Sequence, residues 1–226
     1  MTLKDIVDFY KNHGIRGLKC EIERVKLLHE KSNPASPVYC PNSQVRKCFL
    51  FYCVRGDHQF RMKEYDIWEA VVKIETANIL AATYNNFEEL YDAVKNTIFK
   101  CKNVGELTVY DTALRIGFHL NVLPSKYVYL ASGGLSGYNR MSGVTHPGPM
   151  LKIATSVIIA QFPDLSVLTA YEIEDFFCVC KDFFEKNGAI KSNQKCRKIE
   201  TNKINDIKRY FDWNMRRMAN GICVTH

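Results

Sequence analysis

Residues 86–120 read NFEELYDAVKNTIFKCKNVGELTVYDTALRIGFHL. Phe87, Leu90, Val94 and Ile98 recur at the three- and four-residue spacing that gathers apolar side chains on one helical face. Asn86-Phe87-Glu88-Glu89 has the form of a capping box, an N-cap side chain with an acid three residues on, and so opens that helix. The helix runs through Phe99, and a second one spans 108–120. Residues 102–107 leave room only for a tight hairpin centred on Val104-Gly105. Two helices back to back in the middle of the chain set the fold class.

Upstream of this pair, residues 2–31 read as helix, with Leu3, Ile6, Val7 and Tyr10, then Ile22, Val25 and Leu28, at helical spacing and an interruption at His13-Gly14. Pro34, Pro37 and Pro41 mark 32–43 as a loop. The apolar run 48–54 is a strand or a buried helical turn, and periodicity does not decide between them. Asp66 is expected to cap a helix over 67–84, burying Trp68, Val71 or Val72, Ile74 and Ile79. Downstream, Pro124 precedes an apolar run at 127–130. Ser132-Gly133-Gly134-Leu135-Ser136-Gly137 then reads as a glycine-rich loop. Thr145-His146-Pro147 is expected to start a helix reaching about Gln161, with proline in its first turn. Thr169-Ala170-Tyr171-Glu172 is a second capping box, for a helix stopping at Asn187-Gly188. A basic linker, 189–203, leads to a last helix over 204–218. Strands and helices do not alternate, which argues against a parallel nucleotide-binding sheet. The expectation is an all-α fold: one compact multi-helix domain over 1–226, with at most a marginal β element.

Composition fits that expectation. Apolar residues make up 46% of the chain, with 13 Phe and 12 Tyr, yet no stretch approaches the ~20 apolar residues of a membrane helix. The first residues carry acids and bases where a signal peptide needs an unbroken apolar run. The nine cysteines are odd in number and irregularly spaced, several within apolar runs. Reduced core thiols in a cytoplasmic protein are expected, and a disulfide framework is not. Net charge is +7, and the segment from Lys191 onward holds nine basic residues against three acidic ones. Such an asymmetry points to a polyanion, or to a solvated terminal segment that binds nothing specific.

The stretch Asn103-Val104-Gly105-Glu106-Leu107-Thr108-Val109 resembles the helix-hairpin-helix motif of DNA repair and replication proteins, usually written G-h-G-x-x-T-A with h apolar. Val104 takes the apolar position, Gly105 the second glycine and Thr108 the threonine. Asn103 replaces the first glycine and Val109 the alanine; asparagine tolerates positive φ better than other non-glycine residues. The resemblance implies a seat for one backbone phosphate on the unpaired amides that begin the second helix. Such a contact positions a protein on DNA without reading sequence. Its residues would be Lys100, Lys102, Asn103, Val104, Gly105, Leu107 and Thr108, joined by Lys208, Arg209, Arg216 and Arg217 of the basic C-terminal segment. Glu106 opposes it, because a carboxylate in the first turn competes for the same dipole. Many base-excision glycosylases share the hairpin and require an Asp about twenty residues beyond it. Ser125-Lys126-Tyr127 stand there instead, and no Asp or Glu lies between Asp111 and Asp164. No catalytic residue is therefore assigned. Residues 104–117 with 127–133 are also similar to a pattern in uncharacterised bacterial proteins, which implies that hairpin and glycine segment belong to one unit.

Other chemistry is thin. Gly133, Gly134, Ser136 and Gly137, with Arg140 near, form a possible phosphate loop, although the G-K-[ST] of a P-loop is missing. Cys48, Cys53 and His58 lack the paired spacing of a zinc site, so no metal or cofactor is expected. His119 reads as a packed residue and His146 as part of a helix-starting turn. Together these features predict a non-enzymatic protein that holds duplex DNA by its backbone. The alternatives are a structural or protein-interaction module, a glycosylase-like enzyme, or another enzyme built on the 133–137 segment and Arg140.

Overall fold

In a computed structural model, which describes residues 2–32, 35, 43–55, 62–186 and 188–190, Thr2 opens the first helix with a capping box. Its hydroxyl accepts from the Asp5 amide while the Asp5 carboxylate accepts from the Thr2 amide. Helix α1 (Leu3–Phe9) passes through a π-turn (Tyr10–Gly14), at the predicted interruption, into α2 (Arg16–Ser32). The 48–54 run lies in α3 (Ser43–Arg55), where Phe49, Leu50, Cys53 and Val54 are buried. Spacing of one, four and five residues is a helical face, which settles the strand-or-helix question.

Helix α4 (Glu64–Thr76) is shorter than the sequence suggests. It stops because Asn78 enters the left-handed region (φ 54), and a separate 3-10 turn, Ile79–Ala81, follows. Lys63, not Asp66, is its N-cap. The predicted helix pair is present as α5 (Phe87–Ile98) and α6 (Glu106–Leu120). Asn86 caps α5, its side chain accepting from the Glu89 amide at 3.0 Å.

The largest corrections fall between 127 and 161. Tyr127–Ala131 is a strand, β1, paired antiparallel with β2 (Met150–Ala154) in register Tyr127↔Ala154 to Ala131↔Met150. The expected helix 145–161 is thus β2 followed by α8 (Thr155–Gln161). Gly148, at φ 102, and Pro149 keep the chain from turning helical there, and the ladder with β1 claims the next residues. The segment read as a glycine-rich loop is helix α7 (Ser132–Ser142). Glycine is a poor helix former, but here it lets α7 lie backbone-close on α9 (Ala170–Cys180). A Cβ on Gly137 would strike the Phe177 carbonyl oxygen, one on Gly133 the Cys178 sulfur, and one on Gly134 the Glu174 carboxylate. Tertiary contact overrides propensity. Thr169 and Glu172 form the predicted capping box of α9, which ends earlier than expected, in a 3-10 turn at Lys181–Phe183. Of the predicted linker 189–203 only 189 and 190 are described, with Ile190 bridged to Phe184; 191–203 and the predicted helix 204–218 lie outside the described residues.

The architecture is all-α with one small two-stranded sheet among the described residues. An apolar cluster joins every helix and β1. No described helix is long and apolar enough to cross a membrane. Cys20, Cys53, Cys101 and Cys178 carry no disulfide, and burial pushes the Cys178 thiol up to about 12.

Where α2 and α6 end side by side, the His29 and His119 rings lie 3.5 Å apart between centroids, tilted by 31°. The His119 Nδ1 is buried without a hydrogen-bond partner. Burial, and then the neighbouring His29, lowers His119 to about 4; burial also lowers His29, against a smaller opposing effect of Glu30. An unfolded histidine titrates near 6.5. Between those values the unfolded chain binds a proton that the folded chain refuses, so stability falls as pH drops through that window. The melting temperature should decline from about pH 6.5 towards 4, and His119→Leu should flatten that decline. Parallel melting curves of the two proteins that lose stability alike over this range would contradict the assignment.

Candidate nucleic-acid interface

The turn between α5 and α6 is built in three steps. After Ile98 the chain tightens, with the Cys101 amide donating to the Ile98 carbonyl at 2.8 Å and the Val104 amide to the Cys101 carbonyl at 3.3 Å. Asn103 takes the left-handed conformation (φ 62), which asparagine visits more readily than most residues. Its side chain donates to the buried Asp66 carboxylate at 2.6 Å, tying the turn to the first turn of α4. Val104 then plugs into the core. Gly105 is the N-cap of α6 in extended backbone (φ −109, ψ 179), with no side chain to cap the helix. The first amides of α6 therefore lack intrahelical acceptors.

A Cβ at Gly105 would meet nothing within 4 Å, so neither backbone strain nor packing calls for glycine there. Lys100, Lys102, Asn103 and Gly105 are exposed, and Leu107 is half-buried. Thr108 is buried, its hydroxyl 3.9 Å from the Met62 sulfur and its carbonyl accepting from the Thr112 hydroxyl at 2.6 Å. Thr108 thus holds the turn without facing out.

The charge of Glu106, in the first turn of α6, is offset by a lysine. Its carboxylate bends back to α5, accepting from the Tyr91 hydroxyl at 2.7 Å and from Lys95 at 2.9 Å. Burial raises its pKa, but the hydrogen bonds from Lys95 and Tyr91 outweigh this and hold the carboxyl below its ordinary value. Neighbouring acids are also engaged: Glu64 accepts from the Trp68 indole at 3.3 Å, and Glu69 pairs with Lys73 at 2.8 Å. Lys63 and Tyr65 (79% exposed) stand at the start of α4, beside the Met62 and Asp66 contacts to the turn.

Beneath the hairpin, Tyr129 of β1 anchors an aromatic cluster. It stacks on Tyr110 at 5.3 Å and lies 5.0 Å from Tyr91 and 5.5 Å from Phe87. Through these rings the strand packs against both helices of the hairpin. Asp111 is buried 3.7 Å from Arg115.

The other predicted residues part company with the hairpin. Gly133, Gly134 and Gly137 face α9 and are not available to cradle a phosphate. Ser136 and Arg140 lie on another side of α7, lining a surface cavity. Lys208, Arg209, Arg216 and Arg217 lie outside the described residues. The Asn103–Asp66 tie and the Tyr91–Glu106–Lys95 cluster escape sequence reading, although Glu106 and Lys95 are a complementary pair on facing helix ends. Among the described residues no group of three His, Cys, Asp or Glu side chains could hold a metal ion. No protein-family model matches the chain, and comparison with curated proteins and with solved structures finds no match.

Proposed function

We propose that the protein holds duplex DNA by its sugar-phosphate backbone, without reading sequence and without acting on it chemically, in the cytoplasm. The observation that carries this reading is the uncapped start of α6 at Gly105, preceded in the turn by the exposed Lys100 and Lys102, with the Glu106 carboxylate engaged by Lys95 and Tyr91. A phosphate placed there would meet free amides, the positive end of a fifteen-residue helix and two lysines. The resemblance to helix-hairpin-helix proteins points the same way, and Asn103 has the backbone conformation that resemblance requires.

If about three phosphates are neutralised, affinity should fall on the order of 40-fold between about 50 and 200 mM salt, as counterions are released. Fluorescence anisotropy with a labelled duplex at low ionic strength measures this. Gly105→Asp is the sharpest variant. Aspartate caps a helix better than glycine, by a few tenths of a kcal/mol, and nothing obstructs its Cβ. It would fill the amide seat with a negative charge, so the variant should melt no lower than the parent yet bind DNA at least about ten-fold more weakly. Salt-insensitive binding, or a Gly105→Asp protein that binds as the parent does, would leave the hairpin as architecture alone.

A further inference from the structure

Helix α7 follows β1 with no intervening residue, and the junction is strained. Ser132 has φ 43, a left-handed conformation that a serine adopts at a cost, and its side chain is exposed. Residues 143–149 return across the outer side of α7, turning at Gly143 (φ 71) and Gly148 (φ 102). Between helix and returning chain lies a cavity of about 540 Å³, lined by Ser132, Ser136 and Arg140 of α7, by Thr145 and His146, and by Lys186. Among the described residues that line it there is no carboxylate. Arg140 is fixed in place through Nη1, which donates to the Lys181 carbonyl and to Asp182, each at 3.3 Å. His146 is held by its backbone amide, donating to Asn139 at 3.2 Å, and by its ring beside Tyr138 at 5.5 Å. Ala131 gives α7 no side-chain cap, so the helix's positive end also opens beside Ser132.

Guanidinium, ammonium and imidazole groups around three hydroxyls, with Asp182 on Arg140 as the acid that touches them among the described residues, form a donor set that suits a phosphoryl group. A bare phosphate would occupy a small part of the space, since cavities of about 300–1,000 Å³ take small organic molecules. Leu135 supplies an apolar stretch of wall. We infer that this cavity binds a phosphate monoester carried on a small organic body, about the size of a nucleoside monophosphate. The site is separate from the hairpin and does not depend on DNA binding.

Isothermal titration of the full chain with AMP, glucose 6-phosphate, inorganic phosphate and adenosine tests it. At least one ester should bind, inorganic phosphate about ten-fold more weakly, and adenosine not at all. Lys186→Gln and Arg140→Gln should each weaken the ester about ten-fold, while Lys100→Ala with Lys102→Ala leaves it unchanged. Should Arg140→Gln disturb the fold through its lost contact with Asp182, Lys186→Gln, at an exposed position, still decides. No heat from either ester at about 10 mM, or equal binding by Lys186→Gln and parent, would overturn the assignment. Inorganic phosphate binding as tightly as the esters would overturn the inferred ligand size.

Discussion

Replacing Arg115 by alanine is expected to lower stability by about 3–5 kcal/mol, the usual loss when one member of a buried ion cluster is removed. Arg115 is 1% exposed and joins three helices. Its Nε donates to Glu21 of α2, Nη1 donates to the Cys53 carbonyl of α3 at 2.8 Å, and Nη2 lies 3.7 Å from Asp111 of its own α6. Burial works against the guanidinium's charge, but Glu21 and then Asp111 outweigh it and hold the group above its ordinary value. Without Arg115, two carboxylates face each other across a cavity and a buried carbonyl loses its donor. Urea unfolding followed by circular dichroism measures the loss. The combined variant Arg115→Met, Glu21→Gln, Asp111→Asn should recover most of it, because the charges leave together. A loss below about 1 kcal/mol for Arg115→Ala would mean that the cluster is hydrated.

The second large effect is at Gly137, where alanine should destabilise by about 3 kcal/mol, the upper end of ordinary overpacking. The added methyl would meet the Phe177 carbonyl oxygen, and a backbone atom cannot swing aside as a side chain can. Alanine's better helix propensity returns about 1 kcal/mol, too little to offset a forced separation of α7 and α9. Tyr138 and Phe177, whose rings meet edge-on at 5.4 Å, would have to repack. Gly17→Ala is the control. It lies in the first turn of α2 with nothing within 4 Å, and should gain about 0.5 kcal/mol. Similar melting shifts for the two variants would show that propensity, not contact, governs Gly137.

These two residues also mark where the sequence is legible and where it is not. The α5–α6 pair, its Asn86 cap and the Thr169–Glu172 box rest on interactions three or four residues apart, so local spacing reveals them. Gly137 belongs to a run of glycines that locally says loop; only the approach of α9, some forty positions later, makes it a helix. Likewise 150–154 becomes a strand because Tyr127–Ala131 lies beside it. Arg115 has one local partner, Asp111 four residues before it, but its burial is set by Glu21 and Cys53, which are remote in sequence. In the candidate interface, the turn, its lysines and the Asn103 conformation were readable. The relief of Glu106 was not, because it depends on which way one side chain turns.

The hydrogen bond from Asn103 to Asp66 has one further consequence. A hairpin supported only by its own two helices would be free to breathe, and a ligand would have to order it on arrival. Here the turn is braced from a third helix, through a carboxylate that is 3% exposed. The proposed seat at Gly105 would therefore be pre-organised: a phosphate docking there would meet amides already aimed, and little conformational entropy would be lost on contact. Asn103→Ala should loosen that aim without removing a single donor from the seat.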